Sequence, residues 1–383
     1  MFIISPLIRT ILRILSYVLY FVTLLSAFGG MVNPEYFPLP SLLVLPLQYL
    51  AIATAIVTVA WFCSGKLITG GLGLVTLIVG WSSISMAVPL SFKNKPEPDT
   101  QTIKLVTFNC LHMDDIRKER DLNRSLKFLL ESDADIICLQ ELLLQFDKRE
   151  SPWLDPVLID SLMKKYPYHP SMGYSDLKLF SKYPAHTEPT LNPANNPYWP
   201  PAYRFYRVNV NGTILMIANV HLPSYHLSEE ERNVMTEIRG FRSAKKSADE
   251  MKNSIVGKLK SAFKRRAESV DSLMAALKLV KHPIIVCGDF NDVPASWCYR
   301  QFVKSGFEDA YTETSFGPTF TFNKHLFYFH IDQIFYRGDI EPLSVKRATM
   351  NASDHYPLVA TFALPVTKDG NKPFDPRAGR TSR

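Results

Sequence analysis

An α+β fold, with two packed sheets, flanking helices and three transmembrane helices ahead of them, is predicted by three observations. The 383 residues divide into unlike parts: from Ile11 to Leu90 charge is almost absent, and the remainder has the composition of an ordinary soluble domain. The second part carries many short apolar runs and few long helical patterns, which points to packed sheets rather than a bundle. Run after run ends on an acid, an amide or a histidine.

The membrane part comes first, as residues 1–91. Its apolar blocks, about 11–31, 41–64 and 68–90, are each close to the roughly 20 residues that cross a bilayer as a helix. The first is too long for a signal peptide and lacks a small-residue cleavage site. Pro34, Pro38 and Pro40 mark the first connection, and Ser64-Gly65-Lys66 the second. Arg9, Arg13 and Lys66 fall on one side of such an arrangement and Glu35 on the other. The excess of basic residues on the cytoplasmic side then predicts an integral cell-membrane protein with everything after the third span extracytoplasmic. Lys93 and Lys95 vote the other way. Residues 92–101 read as a polar, proline-bearing linker.

Residues 102–365 form the soluble domain. Strands are expected at Ile103–Phe108, Ile136–Leu139, Leu177–Phe180, Phe205–Val210, Ile214–Val220, Ile284–Cys287, Ile331–Tyr336 and Leu358–Phe362, from their β-branched and aromatic runs. Helical periodicity is expected at 121–131, 157–165, 266–281 and 296–305. The polar tail, 366–383, is expected to be disordered. Formal net charge is +7, which favours anionic partners. Five cysteines without a CxxC pair make neither a disulfide framework nor a zinc site, so Cys63, Cys138 and Cys287 read as small buried hydrophobes.

The most informative stretch is Ile284-Ile285-Val286-Cys287-Gly288-Asp289-Phe290-Asn291-Asp292. A buried strand that ends abruptly in acids and amides needs a ligand, a metal or a phosphate to satisfy them. The same ending recurs at Asn109, Gln140-Glu141, His221, Asp332 and Asp354-His355.

In order, Thr107-Phe108-Asn109, Leu139-Gln140-Glu141, Asn219-Val220-His221, Gly288-Asp289-Phe290-Asn291, Ile331-Asp332 and Ser353-Asp354-His355 resemble the motifs of the endonuclease/exonuclease/phosphatase superfamily. That superfamily includes deoxyribonuclease I, AP endonucleases, neutral sphingomyelinases and inositol polyphosphate 5-phosphatases. The resemblance covers about 102–364 and implies a four-layer α/β/β/α sandwich and metal-dependent hydrolysis of a phosphate ester. It implies that Asn109, Glu141 and Asp354 hold Mg²⁺ or Mn²⁺, cations suited to oxygen ligands. Asp289 and Asn291 would position and activate water, Asp332 would orient His355, and His221 would donate to a phosphate oxygen. Asn109, His221 and Asn291 would also meet substrate. Asp176 and His330 are weaker site candidates, and Asp114-Asp115 reads as a solvated loop pair.

Between Arg239 and Arg266 lie ten basic and two acidic residues, +8 in sum, with Phe241, Ala248, Met251, Ile255, Leu259 and Phe263 at helical spacing. Such a helix could lie on an anionic membrane, guide a polyanion, or rest its apolar stripe on the domain. The expected activity is therefore a membrane-anchored, nuclease-like phosphodiesterase. A lipid-headgroup phosphodiesterase or phosphatase, and a non-catalytic membrane-surface module, are the alternatives. The sequence points to no protein partner.

Overall fold

The computed structural model describes residues 6–91, 101–113, 123–142, 154–170, 175–192, 202–225, 247–324 and 327–364, with backbone alone for 247–254 and 327. Residues 92–100 of the expected 92–101 linker, the expected tail 366–383, Asp114-Asp115 and residues 239–246 of the basic stretch lie outside the described residues.

Two sheets face each other. The first has five strands: β1 (Gln101–Asn109) between β2 (Ile136–Gln140) and β13 (Leu358–Leu364), then β3 (Lys178–Ser181) and β12 (Glu341–Arg347) at the edges. The second has six, in the order β4 (Ala185–Thr187), β5 (Tyr203–Val210), β6 (Thr213–His221), β7 (Ile284–Asp289), β11 (Asp332–Arg337) and β8 (Glu308–Asp309). A small hairpin, β9 (Phe322–Lys324) and β10 (Phe327–Phe329), stands beside them. All eight expected strands are present. The edge strands β4, β8 and β12 are additional, and each is too short or too polar to be read from pattern alone.

Side-chain alternation explains the layering. Leu105, Ile136, Cys138, Ile217, Cys287 and Ile334 point between the sheets and form a shared core. Their neighbours Val106, Phe108 and Ile137 point outward to α6 (Arg124–Glu131) and α7 (Pro156–Lys165). On the other side Val286 and Phe335 meet α8 (Ser247–Leu277) and α9 (Trp297–Lys304). Helices thus cover both outer faces. A short α10 (Ala310–Thr314) follows β8.

Helix α8 corrects the expected 266–281 helix: it begins far upstream and takes in residues 247–266 of the basic stretch within one element of 31 residues. Its stripe of Ile255, Leu259 and Phe263 is buried against Leu42, Leu45 and Tyr225. The described part of the apolar face is therefore covered by the N-terminal residues Leu42 and Leu45 and by Tyr225. Arg266 is fully buried as well, with its guanidinium 4.4 Å from the Tyr225 ring and 4.6 Å from the Phe263 ring.

The N-terminal helical unit departs from three uniform spans. Among the described residues one helix, α1 (Pro6–Gly29), is by itself long and apolar enough to cross a membrane. The second apolar block is split into α2 (Leu39–Val44) and α3 (Leu47–Cys63), because Pro46 cannot continue the first of them. The third is α4 (Leu67–Val79) and α5 (Trp81–Ala87), bent by 73° at Gly80 and long enough for a span only if the pair counts as one. Between helices, Thr23 and Thr54 hydroxyls lie 2.8 Å apart and Trp61 Nε1 donates to Ser16 Oγ at 2.8 Å. Cys138 and Cys287 are buried as expected, whereas Cys63 is exposed at the end of α3.

Candidate active site

The parity that builds the inter-sheet core also builds the site. Residues 105, 107 and 109 share a face of β1, as do 136, 138 and 140 of β2, 217, 219 and 221 of β6, and 285, 287 and 289 of β7. Each row is apolar in mid-sheet and polar at its C-terminal end. β11 runs antiparallel to β7, so its first residue, Asp332, pairs with Asp289 and reaches the same end. Hence Asn109, Gln140, His221, Asp289 and Asp332 converge between the two sheets.

Buried amides tie the sheets together just beneath. Gln140 Nε2 donates to Asn219 Oδ1 at 2.6 Å and to Thr107 Oγ1 at 3.1 Å. Asn219 Nδ2 in turn donates to the carbonyls of Leu139 and Lys178, both at 3.0 Å. Gly288 is required by the same closeness: its φ is +143°, and a Cβ there would lie 1.9 Å from the Val220 carbonyl oxygen.

Above this floor, Asn109 Nδ2 donates to Glu141 Oε1 and to Asp289 Oδ2, each at 3.0 Å. Asp289 is held from its other side by Asn291, whose backbone N–H donates to Oδ1 at 2.8 Å and whose Nδ2 donates to Oδ2 at 3.2 Å. Two histidine–aspartate pairs flank Asp289. His221 Nδ1 lies 2.8 Å from Asp176 Oδ2, and His355 Nδ1 lies 2.9 Å from Asp332 Oδ2. Since a carboxylate only accepts, Nδ1 carries the hydrogen in both rings, and each Nε2 is turned inward. The Nε2 atoms stand 3.9 Å (His221) and 3.6 Å (His355) from Asp289 Oδ2, and His221 Nε2 is also 3.7 Å from Glu141 Oε1.

Burial and charge pull against each other here. Burial alone would lower both histidines, but Asp176 and Asp289 raise His221 to about 9, and Asp332 and Asp289 raise His355 to about 10. Burial raises Asp289, against the pull of His355. Two groups could hold a cation: Glu141, His221 and Asp289, or Asp289, Asp332 and His355. The first adjoins the Asn109 amide, and its carboxylate and amide oxygens suit Mg²⁺ or Mn²⁺.

The remaining candidates are distributed as follows. Asp176, a weak reading in sequence, is brought fully into the site by the β2–β3 pairing, in which Leu139 faces Lys178. Asp354 is buried and pairs with Lys324 at 3.4 Å, outside both cation-holding groups. His330 is buried against Tyr311, where burial lowers it to about 3, and it lines a small cavity with Val44, Gln48 and Val293. Lys324 and Phe322, whose ring meets that of His355 at 5.2 Å, are site neighbours that sequence reasoning missed. Nothing in their local pattern marks them.

Comparison with known proteins gives a matching result. Residues 106–355 match the model of the Endonuclease/Exonuclease/phosphatase family. Two UPF0294 proteins of Vibrio vulnificus, from strains YJ016 and CMCP6, are each 35% identical over 104 residues. Those segments make up 26% of this chain and 34% of the relatives, so the chain spans about a third of their length. Similar solved structures include an endonuclease/exonuclease/phosphatase from Beutenbergia cavernae (13% identity, 69% of this chain and 72% of that one, TM-score 0.43). The human Nocturnin catalytic domain with bound sulfate is 18% identical over 70% of this chain and 95% of its own (TM-score 0.42). Beta toxin of Staphylococcus aureus is 14% identical over 67% and 99% (TM-score 0.40).

Proposed function

Since the chain belongs to the endonuclease/exonuclease/phosphatase family, we propose that it is a Mg²⁺- or Mn²⁺-dependent hydrolase of a phosphate ester, acting by in-line attack of water. The single observation that carries this is the convergence on Asp289 of Asn109, Glu141 and two aspartate-pinned histidines, all from different strands or loops. A cation here would be held by Glu141 beside the Asn109 amide, which leaves Asp289 to act as base. It would supply charge neutralisation at the phosphoryl group and the leaving oxygen. Asp289, lifted by burial and steadied by Asn291, takes the proton of the attacking water. Asp176 and Asp332 favour the protonated form of His221 and His355, in which each donates from Nε2 to a phosphate oxygen. A non-catalytic surface module has no use for such pinned pairs.

The membrane reading draws support from exposure more than from helix length. Of 37 exposed large hydrophobic side chains among the described residues, 31 lie before residue 91, far more than a water-facing surface carries. Arg9, Arg13 and Lys66 would face the cytoplasm and the catalytic domain the other side. Protease added to intact cells should then remove the domain, and protection until lysis would reverse the orientation.

A lipid headgroup is the substrate this arrangement favours over nucleic acid. Phe322 touches His355 on one side and packs in one cluster with Val44 and Leu47 of the helical unit on the other. Among the described residues of the basic stretch, meanwhile, the apolar stripe of Ile255, Leu259 and Phe263 is already covered. The test is full-length protein with Mg²⁺ on sphingomyelin and phosphoinositide vesicles, plasmid, abasic duplex and a bis-aryl phosphodiester, with Glu141→Gln as control. Headgroup release that the variant lacks is expected. Turnover of DNA alone would restore the nuclease reading.

A further inference from the structure

The loop after β7 carries backbone strain that its own sequence does not explain. Asn291 has φ +49° and Ala295 φ +66°, both in the left-handed region, which non-glycine residues enter at a cost. Such conformations persist only where surroundings hold them. For Ala295 the surroundings include the helical unit.

Three contacts meet there. Gly30, at the exit of α1, lies against the loop so closely that a Cβ would sit 1.9 Å from the Ala295 carbonyl oxygen. Arg300 on α9, 7% exposed, donates from Nε to that same carbonyl at 3.0 Å. From Nη2 it donates to Ser83 Oγ on α5 at 2.6 Å and to the Ala27 carbonyl in the last turn of α1 at 3.3 Å. A guanidinium is costly to bury without an acidic partner, and Arg300 has no ion pair among the described residues. Carbonyls at a helix C-terminus, which lack intrahelical donors and carry negative dipole, offset that cost. Val293, Ala295 and Ile331 complete the joint, buried with Ala27, Leu47 and Ile84 in one cluster. Ile331 immediately precedes Asp332 and accepts from Phe290 N at 2.9 Å. Both strand ends that supply Asp289 and Asp332 are thus backed by the helical unit.

An anchor needs only a linker; this joint is a brace. We propose that docking of α1 and α5 onto the Phe290–Ala295 loop, through Gly30 and Arg300, positions Asn291 and through it Asp289. The helical unit is then a working part of the catalytic site, and Arg300 is a positioning residue. The inference rests on the phosphoesterase reading above.

The test compares wild type, Gly30→Ala, Arg300→Gln and Arg300→Lys, as full-length chains in phosphatidylcholine/phosphatidylglycerol vesicles with Mg²⁺. The substrate is bis(p-nitrophenyl) phosphate, which needs no membrane presentation. Misplacing a reacting group by about 1 Å costs on the order of 100-fold. Gly30→Ala and Arg300→Gln should therefore lower kcat by about 10- to 100-fold at little-changed KM. Arg300→Lys should recover part of the loss, and hydrogen exchange at 290–296 should rise in step. A kcat within about twofold of wild type in both Gly30→Ala and Arg300→Gln overturns the proposal, because the introduced Cβ must displace something. If Arg300→Gln does not fold, Gly30→Ala decides alone, since it leaves the catalytic domain's sequence intact. Should wild type turn over no phosphate ester, the functional reading fails by itself. Hydrogen exchange then judges the brace, and unchanged protection of 290–296 in Gly30→Ala overturns it.

Discussion

Asp176 and His221 meet at 2.8 Å although 45 positions separate them, and this contact fixes which nitrogen of His221 faces Asp289. Asp176→Asn should leave the fold intact and lower kcat by about 10- to 100-fold, the usual effect of losing a group that orients a site histidine. Steady-state kinetics on a soluble phosphodiester check this. A drop confined to KM would assign Asp176 to substrate binding instead.

Glu141 has its backbone in the left-handed region at φ +56° and its carboxylate on the Asn109 amide. Glu141→Gln keeps the shape and removes the charge, so cation affinity should weaken by at least about 10-fold. Mn²⁺ titration followed by paramagnetic broadening gives a readout that does not depend on turnover. Unaltered affinity would remove Glu141 from the cation site.

In the cation-free protein, the two histidine pairs should make stability depend on pH. His221 and His355 titrate at about 9 and about 10 in the folded chain, above the ordinary value of about 6.5. Groups raised in this way contribute stability that is fully present below about pH 6.5 and lost as pH rises through 9 to 10. With EDTA present, the urea midpoint should fall over that alkaline window, and Asp332→Asn should flatten the fall. A midpoint constant from pH 6.5 to 10 would show that the pairs are not protonated.

Lys260, Lys264 and Arg265 lie on the side of α8 away from its buried stripe, with Lys264 exposed and the other two partly so. Replacing all three by Gln should raise KM for anionic vesicles and flatten its salt dependence, with little change in kcat on a soluble diester. Attraction of this kind is screened over about 8 Å at physiological ionic strength. Arg266, packed between two rings, is excluded from that set. Its replacement should cost stability and leave the salt dependence unchanged.

The strand ends were legible because one parity rule does two jobs: it aligns Leu105 with Asn109, and Ile285 with Asp289, so a buried strand announces its own polar tip. What depended on pairing was not legible. Asp176 reaches His221 only through the β2–β3 register, and Lys324 reaches Asp354 only through the fold of the β9–β10 hairpin. Hydropathy located the apolar blocks but not their breaks, since a window average passes over Pro46 and Gly80. The periodicity of α8 was visible too. An apolar stripe, however, has the same pattern whether lipid or Leu42 covers it.

One consequence of the topology concerns order in time. β1 is the central strand of its sheet, held by β2 on one side and by β13, about 250 residues later, on the other. At about 5–20 residues per second, roughly 12 to 50 seconds of synthesis separate the two strands. Throughout that interval the helical unit is already complete while β1 has an open edge. The helices can therefore settle before the sandwich closes, and the Gly30–Ala295 joint is made onto a surface that is already there. Chain order thus allows assembly to run from the helices toward the site.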